Sequence, residues 1–206
     1  MTGTTDYELL QRMKTGDEEA FVALYRRRQG SVYRFALRMC GSEAIAEDVT
    51  QEVFMVLMRE AEKFDARRAQ LTTWLIGIAR NQVLKHLERN RRWVAFSDDD
   101  DATDFVDSGA DPFAAFAHKL TVEKVRQAIL TLPPHYREVV VLCELQEMSY
   151  AETADMLGCA IGTVRSRLHR GKALLCDLLS EKLRTADESP KAETQNLASL
   201  RLVKTI

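Results

Sequence analysis

The stretch Met148 to Lys172 constrains this chain more than any other. It reads Met-Ser-Tyr-Ala-Glu-Thr-Ala-Asp-Met-Leu-Gly-Cys-Ala-Ile-Gly-Thr-Val-Arg-Ser-Arg-Leu-His-Arg-Gly-Lys. Ser149 is placed to cap a short helix, because its hydroxyl accepts a first-turn N–H that has no partner within the helix. Ala154 is small where two helices must approach. Gly158 stands where the chain must turn, and glycine tolerates the positive φ such a turn requires. Ile161, Val164 and Leu168 then recur at helical spacing and are expected to pack a second helix onto the first. The opposite face carries Thr163, Arg165, Ser166, His169 and Arg170, with no acid between Ile161 and Lys172. This is the pattern of a helix-turn-helix. An apolar back with a basic, hydroxylated front suits the major groove of DNA. An ordinary helical hairpin with a solvated basic face would leave the shared register of alanine, glycine and apolar triplet to chance.

Charge is unevenly spread. The 206 residues carry a net charge of −2, so the whole molecule is no polycation. Yet Arg80, Lys85, Arg89, Arg91 and Arg92 fall close together with Glu88 as the one acid among them, and residues 163–172 are basic again. Between them residues 97–111 hold seven aspartates and no base. Two basic patches separated by an acidic strip point to nucleic acid at two places. The acidic strip cannot bury enough apolar surface to order itself and is expected to be a linker.

Elsewhere the periodicity is helical. Asp6 to Lys14 reads as a first helix, stopped by Gly16. Asp17, Glu18 and Glu19 open another, since acids in a first turn oppose the helix dipole favourably. Phe21, Leu24 and Tyr25 form its apolar stripe; Val32, Phe35, Ala36 and Met39 form the next, closed by Gly41. Residues 42–64 and 72–92 read as long helices. Residues 112–184 form a second helical unit, broken at Leu132-Pro133-Pro134 because proline lacks an N–H and disfavours helix before it. Val139-Val140-Val141 is the main β-like run, and it lies inside a helical period. The expected fold is therefore all-α: a helical domain at 6–95, a linker at 96–111, a second domain at 112–184 and a tail at 185–206. The tail turns polar and then ends in Leu197, Leu200, Leu202, Val203 and Ile206; it reads either as disorder or as a segment that docks onto a domain and regulates it.

The helix at 42–64 has two faces. Ile45, Val49, Val53, Phe54 and Leu57 supply core, whereas Asp48, Gln51, Glu52, Met55 and Arg59 share an outer face. A solvated surface is the ordinary use of such a face; a docking face for a protein is the alternative. The following loop, Lys63 to Leu71, mixes cations with Phe64 and leads to Trp74, Arg80, Asn81 and Lys85. Cations beside aromatics suit unstacked bases and phosphates. Trp74, followed at helical spacing by Ile78, reads as structural.

Cys40, Cys143, Cys159 and Cys176 have no metal-ligand spacing and read as free thiols. No glycine-rich phosphate loop, nucleophile elbow or carboxylate pair held by structure is present, so neither cofactor, metal nor catalytic residue is expected. No signal peptide or apolar run near the ~20 residues of a membrane span occurs, which suggests the cytoplasm.

Together these segments resemble one family. Residues 16–21, 46–54 and 73–81 are similar to the second conserved region of bacterial sigma factors. Leu132-Pro133-Pro134, Arg137-Glu138-Val139, Ser149 to Glu152 and Gly162 to Arg170 are similar to the fourth. No third-region domain separates them, as in the extracytoplasmic-function (ECF) group. The resemblance implies that Asp48, Gln51, Glu52 and Met55 bind the clamp helices of the largest catalytic subunit of core RNA polymerase. It implies that Phe64, Arg67, Arg68, Arg80, Asn81 and Lys85 hold the melted minus-ten element of promoter DNA. Thr163, Arg165, Ser166, His169 and Arg170 would enter the major groove at the minus-thirty-five element, and an anti-sigma factor would be a partner. The linker would thread toward the active centre and RNA exit path. Three positions depart from the family pattern: Glu147 stands where glycine is frequent, Lys85 replaces an acid or amide, and His169 is at a variable site. A regulator that binds duplex DNA unaided would share the helix-turn-helix but leave the Asp48 face and the loop after Lys63 without a use.

Overall fold

The computed structural model describes residues 4–94 and 112–186, and these are helical, without a strand among them. Helix α1 (Asp6–Lys14) begins with a reciprocal cap: the Glu8 N–H donates to the Thr5 hydroxyl at 3.2 Å, and the Thr5 N–H to the Glu8 carboxylate at 2.7 Å. Helix α2 (Glu18–Cys40) is capped by Asp17, which accepts the Ala20 N–H at 3.0 Å, and ends at Gly41 with φ +74°. The two apolar stripes expected in succession lie on this one continuous helix, which passes through Gly30 unbroken. A mid-helix glycine costs only ~1 kcal/mol, and fully burying Leu24, Val32 and Phe35 outweighs it.

Helix α3 (Glu43–Glu60) starts at a Ser42 cap and gives way to a tight turn, Ala61–Lys63, so the helix expected to reach Phe64 is shorter. Helix α4 (Leu71–Val94) crosses back over α2 and α3. These helices enclose Leu10, Leu24, Phe35, Val53, Leu57, Leu75 and Ile76. Of the core residues expected on α3, Val49, Val53, Phe54 and Leu57 are buried and Ile45 is half-buried against them.

The second unit comprises α5 (Pro112–Thr131), α6 (Pro134–Val140), α7 (Tyr150–Leu157) and α8 (Ile161–Ala186). Pro134 opens α6, where a missing N–H costs nothing. Val139, Val140 and Val141 are all buried, the first two inside α6, so packing overrides their β preference. The chain then widens into a single π-type turn, Val141–Leu145. The acidic segment 97–111 and the tail from 187 onward, including Leu197 to Ile206, lie outside the described residues.

Two residues beyond the π-type turn stands Glu147, a non-glycine residue with φ +56°. That is the left-handed backbone that glycine adopts without steric cost. Glu147→Gly relieves roughly 1–2 kcal/mol of steric cost and restores some flexibility to the unfolded chain. The expected net gain is about 0.5–1 kcal/mol, a rise of ~2–4 °C in melting temperature by calorimetry; an unchanged or lower value would show the strain is absent.

Gly171 illustrates the opposite constraint. A Cβ there would lie 2.8 Å from Cγ2 of Val140 and 3.4 Å from Cβ of Tyr136, so α8 and α6 touch where the glycine is. Gly171→Ala is expected to destabilise by about 1–2 kcal/mol in chemical denaturation, overpacking outweighing the better helix propensity.

The two units pack together, and their buried residues form one continuous cluster. Leu130 of α5 rests on Gly41, where an added Cβ would approach Cδ1 to 2.9 Å. Arg137 of α6 donates to the carbonyls of Met39 at 2.7 Å and Leu132 at 3.1 Å, and to that of Leu130. Burial lowers the pKa of this guanidinium from its ordinary value. Ser31 of α2 donates to the Gln146 side chain at 3.1 Å.

Candidate nucleic-acid and partner surfaces

The first surface is a groove of about 860 Å³ between α2 and α3. Phe21, Tyr25 and Tyr33 line it from α2; Gln51, Met55 and Met58 line it from α3. Its floor is aromatic, with Tyr25 edge-on to Phe54 at 4.7 Å between ring centroids. Met55 and Met58 remain 38% and 54% exposed, which is costly for unbranched apolar chains unless something covers them. Of the residues expected on this face, Gln51 and Met55 line the groove. Asp48 is exposed beside it, and Glu52 is half-buried with its carboxylate 3.2 Å from Arg59. Phe21, Tyr25, Tyr33 and Met58 belong to the surface but were not singled out in the sequence as contact residues. Their periodicity marks only an apolar stripe, and periodicity does not distinguish core from groove.

The second surface is the loop before α4 and the outer face of that helix. Asp65 organises the loop: its side chain accepts the Arg67 N–H at 2.9 Å and its carbonyl the Arg68 N–H at 3.0 Å. Arg67 and Arg68 project into solvent. Phe64 does not. It is 9% exposed and its ring packs on Trp74, centroids 5.6 Å apart. The loop is thereby pinned to α4, but Phe64 offers no free face for a base, contrary to its expected contact. Asn81 and Lys85 are exposed on α4. Arg80 is engaged from elsewhere: its guanidinium pairs with Glu138 of α6, both side chains largely shielded. About two turns earlier on α4, the Thr73 hydroxyl donates to Glu152 of α7 at 3.1 Å. Sequence reasoning found neither partner, since 58 and 79 residues separate the pairs.

The third surface is the helix-turn-helix, α7 and α8. Ser149 and Glu152 cap each other's backbone, at 3.2 and 3.0 Å, and the Ser149 hydroxyl also donates to the carboxylate at 2.7 Å. These bonds, with the one from Thr73, hold the Glu152 carboxyl below its ordinary pKa. Gly158 turns the chain at φ +62°. Ala154 is buried where expected, and Val164 and Leu168 are buried on the back of α8. Ile161 is 46% exposed and does not join them. It is the first residue of α8, ahead of the turn that meets α7. Arg165, Ser166, His169 and Arg170 are exposed on the opposite face and Thr163 half-buried at its edge. The Ser166 hydroxyl donates to the Thr163 carbonyl at 3.1 Å, while the expected base-reading arginines extend outward.

The thiols offer little chemistry. Burial raises the pKa of Cys40 and of Cys143, the latter 3.4 Å from the Thr153 hydroxyl. Among the described residues no three of His, Cys, Asp and Glu gather as a metal site, and no helix is long and apolar enough to cross a membrane.

Comparison with known proteins follows the same division. Residues 24–93 match the family model of sigma-70 region 2, and residues 122–175 that of sigma-70 region 4. The ECF RNA polymerase sigma factor SigW of Bacillus subtilis is 30% identical over 173 residues, covering 81% of this chain and 92% of the relative. The ECF RNA polymerase sigma-E factor of Escherichia coli strain K12 is 34% identical over 175 residues, covering 82% and 91%. Among solved structures, the sigma factor RpoE of Bartonella quintana with the anti-sigma factor NepR aligns at a TM-score of 0.63 and 24% identity, covering 78% of this chain and 96% of that one. CnrH in complex with the cytosolic domain of CnrY aligns at 0.61 and 24%, covering 85% and 97%. These two share the fold.

Proposed function

This chain belongs to the extracytoplasmic-function group of RNA polymerase sigma factors, and from that we propose how its surfaces divide the work of initiation. As an alternative sigma factor it binds core polymerase and directs promoter-specific transcription. In our reading the groove between α2 and α3 receives the clamp helices of the largest catalytic subunit, with Gln51 and Met55 inside it and Asp48 and Glu52 at its rim. Arg67, Arg68, Arg80, Asn81 and Lys85 hold the melted minus-ten strand, with Phe64 fixing their loop from beneath. Thr163, Arg165, Ser166, His169 and Arg170 meet the minus-thirty-five major groove.

We assign residues 6–95 to the first task and 112–184 to the last, with 96–111 as linker and 185–206 as tail. The protein acts in the cytoplasm, where polymerase and promoters are. It is an initiation factor, and in our reading performs no catalysis of its own. The Bartonella quintana protein is held by an anti-sigma factor; we assign this chain a partner of the same kind.

One observation carries the reading: the outward face of α8 is basic and exposed while Val164 and Leu168 bury its back. Each bidentate base contact from such a face discriminates by about 1–3 kcal/mol. Tethering two weak DNA contacts raises avidity by about 10²–10⁴. The test is run-off transcription with purified core polymerase on DNA upstream of the protein's own gene. Specific initiation that depends on the added protein is expected. A footprint on that DNA without core, together with no binding to core, would instead favour a stand-alone regulator.

A further inference from the structure

We propose that Ile161, at the leading tip of α8, reads the C5-methyl group of one thymine in the minus-thirty-five element. The inference deepens the assignment of the α8 face to that element and rests on it.

Periodicity groups Ile161 with Val164 and Leu168, yet those two are 0% and 3% exposed whereas Ile161 is 46% exposed. The space around it is open. Ala160 and Gly162 on either side are exposed, and a Cβ on Gly162 would meet nothing within 4 Å beyond its own turn of helix. A single exposed isoleucine is ordinary on a protein surface; the position of this one makes it informative.

Ile161 is the first residue of α8. Helical side chains lean toward the N-terminus, so its carbons project ahead of the helix. In a helix-turn-helix that end of the second helix meets the base edges. Ile161 stands about one turn before Arg165 and two before His169, in the same row of exposed side chains. The tip is also firmly held. The Ala160 carbonyl accepts the N–H groups of Thr163 at 2.9 Å and Val164 at 3.2 Å, which closes the turn around Ile161. Branching at Cβ restricts χ1, so the side chain arrives already ordered.

The chemistry then selects the partner. Thr163, Arg165, Ser166, His169 and Arg170 carry hydrogen-bonding groups, and Ile161 carries none. The thymine methyl is the apolar group that base pairs present in the major groove; the other groups there are donors and acceptors. A carbon-only tip matches that methyl. Set against a donor or acceptor, it would strip water without offering a bond in return. Contact and exclusion therefore favour thymine together.

The test uses holoenzyme and a promoter mapped by run-off transcription. Each thymine of the minus-thirty-five element, on either strand, is replaced in turn by deoxyuridine, which lacks the methyl but keeps the hydrogen-bonding edge. The parent is expected to bind about three- to fivefold more weakly at one such position, the scale of one buried methyl group. Ile161→Ala should bind the thymine and deoxyuridine duplexes equally there, and Ile161→Val should keep most of the preference. The salt slope should not change, since no phosphate contact is lost. Leu174→Ala removes another exposed apolar side chain from α8, about 20 Å further along the helix, and should behave as the parent.

Absence of a methyl effect at every thymine in the parent would overturn the proposal, and that arm needs no variant to fold. So would an element without an A·T pair. A structural role for Ile161 predicts instead that Ile161→Ala weakens binding uniformly and retains the methyl preference, which would equally overturn it. Failure of the wider assignment looks different: unchanged holoenzyme affinity after the whole element is scrambled would remove the α8 reading itself.

Discussion

Arg165→Ala lowers transcription from the protein's own promoters by about ten- to a hundredfold, the equivalent of one lost bidentate base contact of ~1–3 kcal/mol. The side chain is exposed on the first full turn of α8, directly after the turn that presents the recognition helix to the groove. The helix itself should survive, since Val164 and Leu168 are buried on its back and Arg165 is exposed. The distinguishing measurement is binding of holoenzyme to a panel of promoters with single changes in the minus-thirty-five element. A base contact loses discrimination at one position only. Equal weakening on every sequence, with a salt slope smaller by about one, would mean a phosphate contact instead. Melting temperature should stay within about a degree, because a surface residue without buried partners contributes little to stability.

Met55→Glu combined with Met58→Glu reduces affinity for core polymerase by at least about thirtyfold, the scale of losing a hot spot of ~2 kcal/mol or more. Both methionines line the groove and are exposed in the free protein, so charging them costs little folding energy. In a complex they would be buried against a partner, where an unpaired carboxylate is expensive. Binding is read by fluorescence anisotropy with labelled core. Duplex minus-thirty-five DNA binding by the free variant should match the parent, because Met55 and Met58 lie on α3 and the exposed basic face lies on α8. Retained affinity for core would show that the groove is not the docking site. The pair Asp48→Ala and Gln51→Ala tests the rim of the same face and should weaken binding less.

The limits of sequence reading here are specific. Helix starts were legible because caps are local: Asp17 and the Ser149–Glu152 pair act within one turn. The recognition helix was legible for the same reason, its buried back and basic front following from period 3.6 alone. Individual memberships failed where local pattern and tertiary contact diverge. Ile161 fits the apolar stripe but is the first residue of its helix, and Phe64 looks like a base platform but fills space against Trp74. The two apolar stripes read in succession lie on one helix, which runs through Gly30 because residues on either side of it are buried.

What the sequence determined by itself was the all-helical class, the two units, their motifs and the family those motifs mark. Helical periodicity, capping and turn chemistry depend on residues within a few positions of one another. What only the tertiary structure decided was which partners those residues take. Glu138 on Arg80, Glu152 on Thr73, Leu130 on Gly41 and the open groove beside Met55 all join segments far apart in the chain. No local pattern encodes such pairs, because an exposed acid and an acid poised over a distant arginine are the same letter in a sequence, and only the packing of α4 against α6 and α7 tells them apart.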